Sequence, residues 1–105
     1  MKTITVAGHI ALDHIFDIPA HPEPEHSIFI ERYERHFGGG AANIATGIAK
    51  LGGQSRLVAA VPETFDRTDY AAYLDDLGID MALSRFPGDM PEAYIFNDSQ
   101  HRQIT

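Results

Sequence analysis

Apolar residues come in short runs along this chain, punctuated by glycine and proline. Thr3 to Ala7 is rich in β-branched residues and closes on Gly8, which predicts a buried first strand. His14-Ile15-Phe16-Asp17-Ile18 follows, and Pro19, Pro22 and Pro24 then form a rigid connector. A third strand is predicted over Ser27-Ile28-Phe29-Ile30-Glu31-Arg32-Tyr33, with charges gathering towards its end. Gly38-Gly39-Gly40 opens a helix of small residues that runs from Ala41 and stops at Gly52-Gly53. Ser55 to Val61 reads as a strand broken by Pro62. Asp66 or Thr68 caps a second helix through Tyr70 to Leu77, ended by Gly78. Ile79 to Leu83 is a short strand, and Ala93–Phe96 and Arg102–Thr105 flank Asn97-Asp98-Ser99-Gln100 as a hairpin. The order β-β-β-α-β-α-β-β-β predicts a largely parallel sheet with an antiparallel excursion before the first helix.

Composition narrows the setting. The 105 residues suffice for one domain, and 44% hydrophobic with 22% charged residues is ordinary globular usage. A net charge of -7 argues against nucleic acid or an anionic membrane as partner, while leaving room for a small anionic substrate. The absence of cysteine excludes disulfides and thiolate metal sites. No leader-like or membrane-length apolar run is present, so a cytoplasmic location is the expectation. Six histidines invite a metal reading, but none has ligand spacing on one predicted helix, and no metal is expected. The chain reaches Thr105 within a strand-like run, which suggests part of a longer domain.

Two places carry candidate chemistry. Glycine lets a ligand approach the main chain, and the first N–H groups of the following helix have no intrahelical partner. That makes Gly38-Gly39-Gly40 either a ligand site or a tight strand-to-helix connection. It matches neither a Walker A loop nor a clear Gly-x-Gly-x-x-Gly fingerprint. Asn43 favours the ligand, because asparagine inside a helix has poor propensity and seeks a partner. Asp13 follows the first strand, where open α/β sheets bind ligands, and a carboxylate there accepts hydrogen bonds from paired hydroxyls. It reads equally as a solvated turn residue. Tyr70, Tyr73, Leu74 and Leu77 recur at helical spacing and read as core. Glu31 to Arg35 reads as a solvated strand face, and Asp75-Asp76 as helix surface.

Gly8, Asp13, Gly38-Gly39, Asn43, Ala45 and Leu51-Gly52 together resemble the ribokinase-like (PfkB) carbohydrate kinase family. Its signature is Gly-Gly, three residues, then Asn in a helix ending in Leu-Gly, and the resemblance runs along the whole chain. Ala11–Phe16, Glu92–Asp98 and Gln103–Thr105 look most like archaeal nucleoside and adenosine kinases. The resemblance implies an α/β sandwich with a small β-sheet lid at about 14–18 and 27–36. It implies that Asp13, Gly39, Gly40 and Asn43 bind acceptor hydroxyls, and that Phe29 or Ile30 and Tyr94 or Phe96 pack on the base or sugar.

Two departures qualify it. Pro62-Glu63-Thr64 stands where the family places a glycine and then an acid. The family's catalytic base, in a Gly-Ala-Gly-Asp motif, has no counterpart: Gly88-Asp89 lacks its Gly-Ala predecessor. The resemblance thus implies the N-terminal acceptor-binding and lid portion of an ATP- and Mg²⁺-dependent nucleoside or sugar kinase. No catalytic residue lies in this chain, and it is expected to be inactive alone. The other expectation is a non-catalytic module derived from the kinase fold that pairs with a second copy through the lid or open sheet edges.

Overall fold

A computed structural model describes residues 2–105. Two compact units emerge, Met1–Ala11 with Phe37–Pro91, and Leu12–His36 with Glu92–Thr105.

The first unit is built on three parallel strands, β1 (Thr3–His9), β4 (Gln54–Pro62) and β5 (Asp80–Phe86), with β4 in the centre. In β4, Ser55, Leu57, Ala59 and Val61 are buried, while Arg56, Val58 and Ala60 on the other face are exposed. Helix α1 (Gly40–Lys50) packs on β1 and β4 through Ala41, Ala42 and Ala45. These small side chains let the helix approach closely: a Cβ on Gly8 would stand 2.7 Å from that of Ala41. Ser55 Oγ donates to the Ala45 carbonyl at 3.0 Å.

Helix α2 (Asp69–Asp76) follows a 3₁₀ turn at Phe65–Arg67 and buries Tyr70, Ala71 and Leu74. Of the two expected caps it uses Thr68, whose hydroxyl accepts from the Ala71 N–H at 3.2 Å. Both helices stop at the expected glycines, Gly52 and Gly78.

The second unit is a four-stranded sheet in the order β3-β2-β6-β7, where β2 is Ala11–Asp17, β3 Arg32–Gly38, β6 Glu92–Asn97 and β7 Gln103–Ile104. β2 and β6 run parallel, and β6 and β7 form the expected antiparallel hairpin. The strands therefore form two sheets, one parallel and one mixed. The third strand differs from expectation, because residues 27–30 carry no strand and β3 begins at Arg32. Ile28, Phe29 and Ile30 are consecutive apolar residues that one sheet face cannot accommodate, and Phe29 is 93% exposed. Residues 32–38 alternate instead: Arg32, Glu34 and His36 share a face, along which Glu34 pairs with both neighbours.

Candidate functional site

Within the Gly38-Gly39-Gly40 run, steric contact requires a glycine at Gly39. Its φ of +96° lies in the left-handed region, and a Cβ there would stand 2.4 Å from the His9 carbonyl oxygen and 2.7 Å from the Ile10 Cα. The turn is thus wedged against the end of β1. Gly40, by contrast, has nothing within 4 Å of a Cβ position. The first intrahelical bond of α1 runs from the Asn43 N–H to the Gly39 carbonyl at 3.0 Å, and no side chain caps the helix. Asn43 is exposed, so its amide is open to solvent. The Gly38 carbonyl accepts from the buried Tyr70 hydroxyl at 2.7 Å, and Phe37 stacks on the same ring at 4.3 Å.

Asp13 lies in β2, in the second unit, half-buried and with no hydrogen-bond or ion-pair partner among the described residues. Its pairing partner in β6 is Ala93, whose methyl offers it nothing polar. Strand alternation puts Asp13, Ile15, Ala93 and Ile95 on one face of this sheet. The other face carries rings. His14 stacks on Tyr94 at 4.7 Å and on Tyr33 at 5.8 Å, and Phe16 stacks on Phe96 at 4.9 Å.

The resemblance-derived apolar residues divide accordingly. Ile30 and Phe96 line an open groove of about 340 Å³ with Ile18, Ile28 and Ile104. Phe29 is almost wholly exposed, and Tyr94 lies in the ring stack instead. Tyr94 and Phe96 stand on the face opposite Asp13, so these side chains do not converge on one ligand from the same face of the sheet.

A polar network that sequence reasoning missed runs through the rings. Tyr33 and His14 Nδ1 are 2.6 Å apart, and His14 Nε2 is 3.0 Å from Glu92 Oε1. A carboxylate only accepts, so Nε2 carries its proton and donates; in the neutral ring Nδ1 then accepts from the Tyr33 hydroxyl. Tyr94 donates to the other Glu92 oxygen at 3.0 Å. The His14 and Tyr94 bonds hold the Glu92 carboxyl below the usual carboxylate range, and the bond to Glu92 pushes the Tyr94 hydroxyl above the usual phenol range. The partners lie 19 and 78 residues from His14, so no local spacing announces them.

Asp98, in the turn between β6 and β7, is a buried carboxylate. Burial alone would raise its pKa, but the Arg102 and Gln100 N–H groups and the Arg102 guanidinium, at 2.7–3.0 Å, outweigh it and hold it low. These bonds close the hairpin and leave the carboxylate fully occupied. Among the described residues no three His, Asp or Glu side chains gather as a metal site. No helix among the described residues is long and apolar enough to cross a membrane.

Residues 1–104 match the pfkB family carbohydrate kinases. The chain is 41% identical, over its full length, to a nucleoside kinase of Methanocaldococcus jannaschii, of which it covers 35%. The crystal structure of Methanocaldococcus jannaschii nucleoside kinase, described as an archaeal member of the ribokinase family, superposes with a TM-score of 0.87 at 40% identity, covering 99% of this chain and 36% of that one. A Burkholderia thailandensis nucleoside kinase solved in complex with inosine gives 0.81 at 29% identity, covering 99% and 34%. The chain thus spans about a third of the length of the curated relatives it matches.

Proposed function

The chain belongs to the pfkB family of carbohydrate kinases, and on that premise we propose that it is the acceptor-binding and lid part of an ATP-dependent nucleoside kinase. The observation that carries this reading is the 41% identity, along the whole chain, to a protein named as a nucleoside kinase. Asp13 accepts hydrogen bonds from the hydroxyls of the nucleoside sugar. The backbone at Gly39 and Gly40 and the Asn43 amide bind hydroxyls as well. Three features support these roles: an unpartnered, half-buried carboxylate, a helix start without a side-chain cap, and an exposed amide in its first turn. Phosphoryl transfer also needs a base for the attacking hydroxyl and charge stabilisation at the phosphoryl group. On this reading both come from the two thirds of the relatives' length that this chain does not span. Magnesium, when bound, would neutralise the phosphates there.

The test uses the enzyme that contains this chain. Asp13→Ala and Asn43→Ala should each raise the acceptor KM by about tenfold or more while the ATP KM moves by less than about twofold. Equal losses for both substrates would refute the assignment. The 105-residue chain by itself, given nucleoside and Mg-ATP, should form no ADP above background.

A further inference from the structure

Asp13 presents a carboxylate that nothing in its own sheet holds, so its aim depends on the backbone of β2 alone. Across β6 it faces only Ala93. What fixes that stretch of backbone is therefore a functional question. The pairing of β2 with β6 joins segments about 80 residues apart, with no short turn to set the register. On the ring-bearing face, His14 reaches both neighbouring strands at this level: Tyr33 in β3 and Glu92, the first residue of β6. Glu92 lies two residues before Tyr94, the register partner of His14, and so shares its face. A slip of β6 by one residue would turn Glu92 to the opposite face and break the bond. The His14–Glu92 bond is thus lost on any slip of β6 by an odd number of residues.

We propose that His14 is a positioning residue for Asp13: with Tyr33 and Glu92 it locks β3, β2 and β6 together where Asp13 meets the acceptor. The titratable groups facing His14 are Tyr33 from β3 and Glu92 and Tyr94 from β6. The His14 side chain is only 14% exposed, so little water competes for its two nitrogens. The proposal rests on the acceptor reading above, since a lock around an idle carboxylate would have no functional readout.

The experiment is calorimetry with inosine and adenosine, and separately with ATP, on the enzyme containing this chain. His14→Phe keeps a stacking ring and removes both hydrogen bonds. It should weaken nucleoside binding by about tenfold and leave ATP affinity within about twofold. Glu92→Gln keeps an oxygen that accepts from Nε2 and should bind nucleoside within about threefold of wild type, whereas Glu92→Ala should match His14→Phe. Amide exchange at Asp13 and Ala93 should quicken in the two damaging variants and not in Glu92→Gln. A His14→Phe protein that binds nucleoside like wild type overturns the positioning role, as does one that loses nucleoside and ATP alike. Should His14→Phe not fold, Glu92→Ala against Glu92→Gln makes the same decision. A wild-type enzyme that binds no nucleoside overturns the acceptor reading, and the positioning role with it.

Discussion

Three consecutive glycines look interchangeable in a sequence, yet they have unequal surroundings. Gly39 combines a left-handed backbone with a Cβ position overlapping the main chain after β1, whereas Gly40 faces open space at the first turn of α1. Gly39→Ala should therefore cost more than about 2 kcal/mol, from the strained φ and the backbone shift together. Gly40→Ala should change stability by less than about 1 kcal/mol, since alanine suits a helix better than glycine. Thermal melts of both variants check the contrast. Nucleoside titration of Gly40→Ala then separates structure from function, because a hydroxyl contacting that backbone would be obstructed by the methyl. A Gly40→Ala protein with wild-type stability and wild-type affinity would remove Gly40 from the site.

At the scale of elements, the helices and the strands of the first unit were legible because their signals are local. Thr68, Gly52 and Gly78 mark helix ends within a few residues, and Ser55 to Val61 shows its alternation directly. β3 was misplaced because a run of apolar residues outweighed a weaker pattern, the alternation of Arg32, Glu34 and His36 along one face. Polar side chains able to pair at every second position were the signal that could have found it. The family resemblance proposes Asp13, Gly39, Gly40 and Asn43 as site residues, but the face each strand presents was not readable without the register of β2 on β6. The His14 network was invisible for the same reason.

That network has a pH dependence with a definite sign. Glu92 is held below its ordinary value of 4.5, chiefly by the His14 bond and then by Tyr94. Its contribution is therefore complete above about pH 4.5 and is lost as pH falls through the lower folded-state value. Tyr94 is raised above 10.0 by Glu92, so its contribution is complete below that pH and lost as pH rises further. Asp98 adds an acid dependence of its own, so the comparison must be with Glu92→Gln. Amide exchange at β2 and β6 should accelerate more steeply below pH 4.5 in wild type than in Glu92→Gln, after correction for intrinsic rates. Identical pH profiles would show that Glu92 does not hold these strands.

Across the whole molecule, burial is divided very unequally. Among the described residues, every buried hydrophobic residue except Ile18 belongs to the first unit, where Leu57 and Val61 of the central strand β4 are enclosed, as are Phe65, Tyr70 and Leu74. The second unit relies on stacked rings, half-buried aliphatic residues and hydrogen bonds such as those of Glu92 and Asp98. Apolar burial contributes roughly 25 cal/mol per Å² and dominates folding stability, so a sheet with little enclosed surface opens at lower free energy. The Pro19–Glu31 connector, largely exposed and without helix or strand, adds little to hold it. Native-state hydrogen exchange should therefore find the β4 amides slowest and those of β2 and β6 at least about tenfold faster. Limited proteolysis should cut first between Pro19 and Glu31. Uniform protection across both units would mean that the rings and the polar network stabilise the second unit as well as a packed core does the first. On the proposed function, an acceptor nucleoside should close that gap, slowing exchange in β2 and β6 while leaving β4 unchanged, because a ligand that binds only the ordered state stabilises the part that opens most readily.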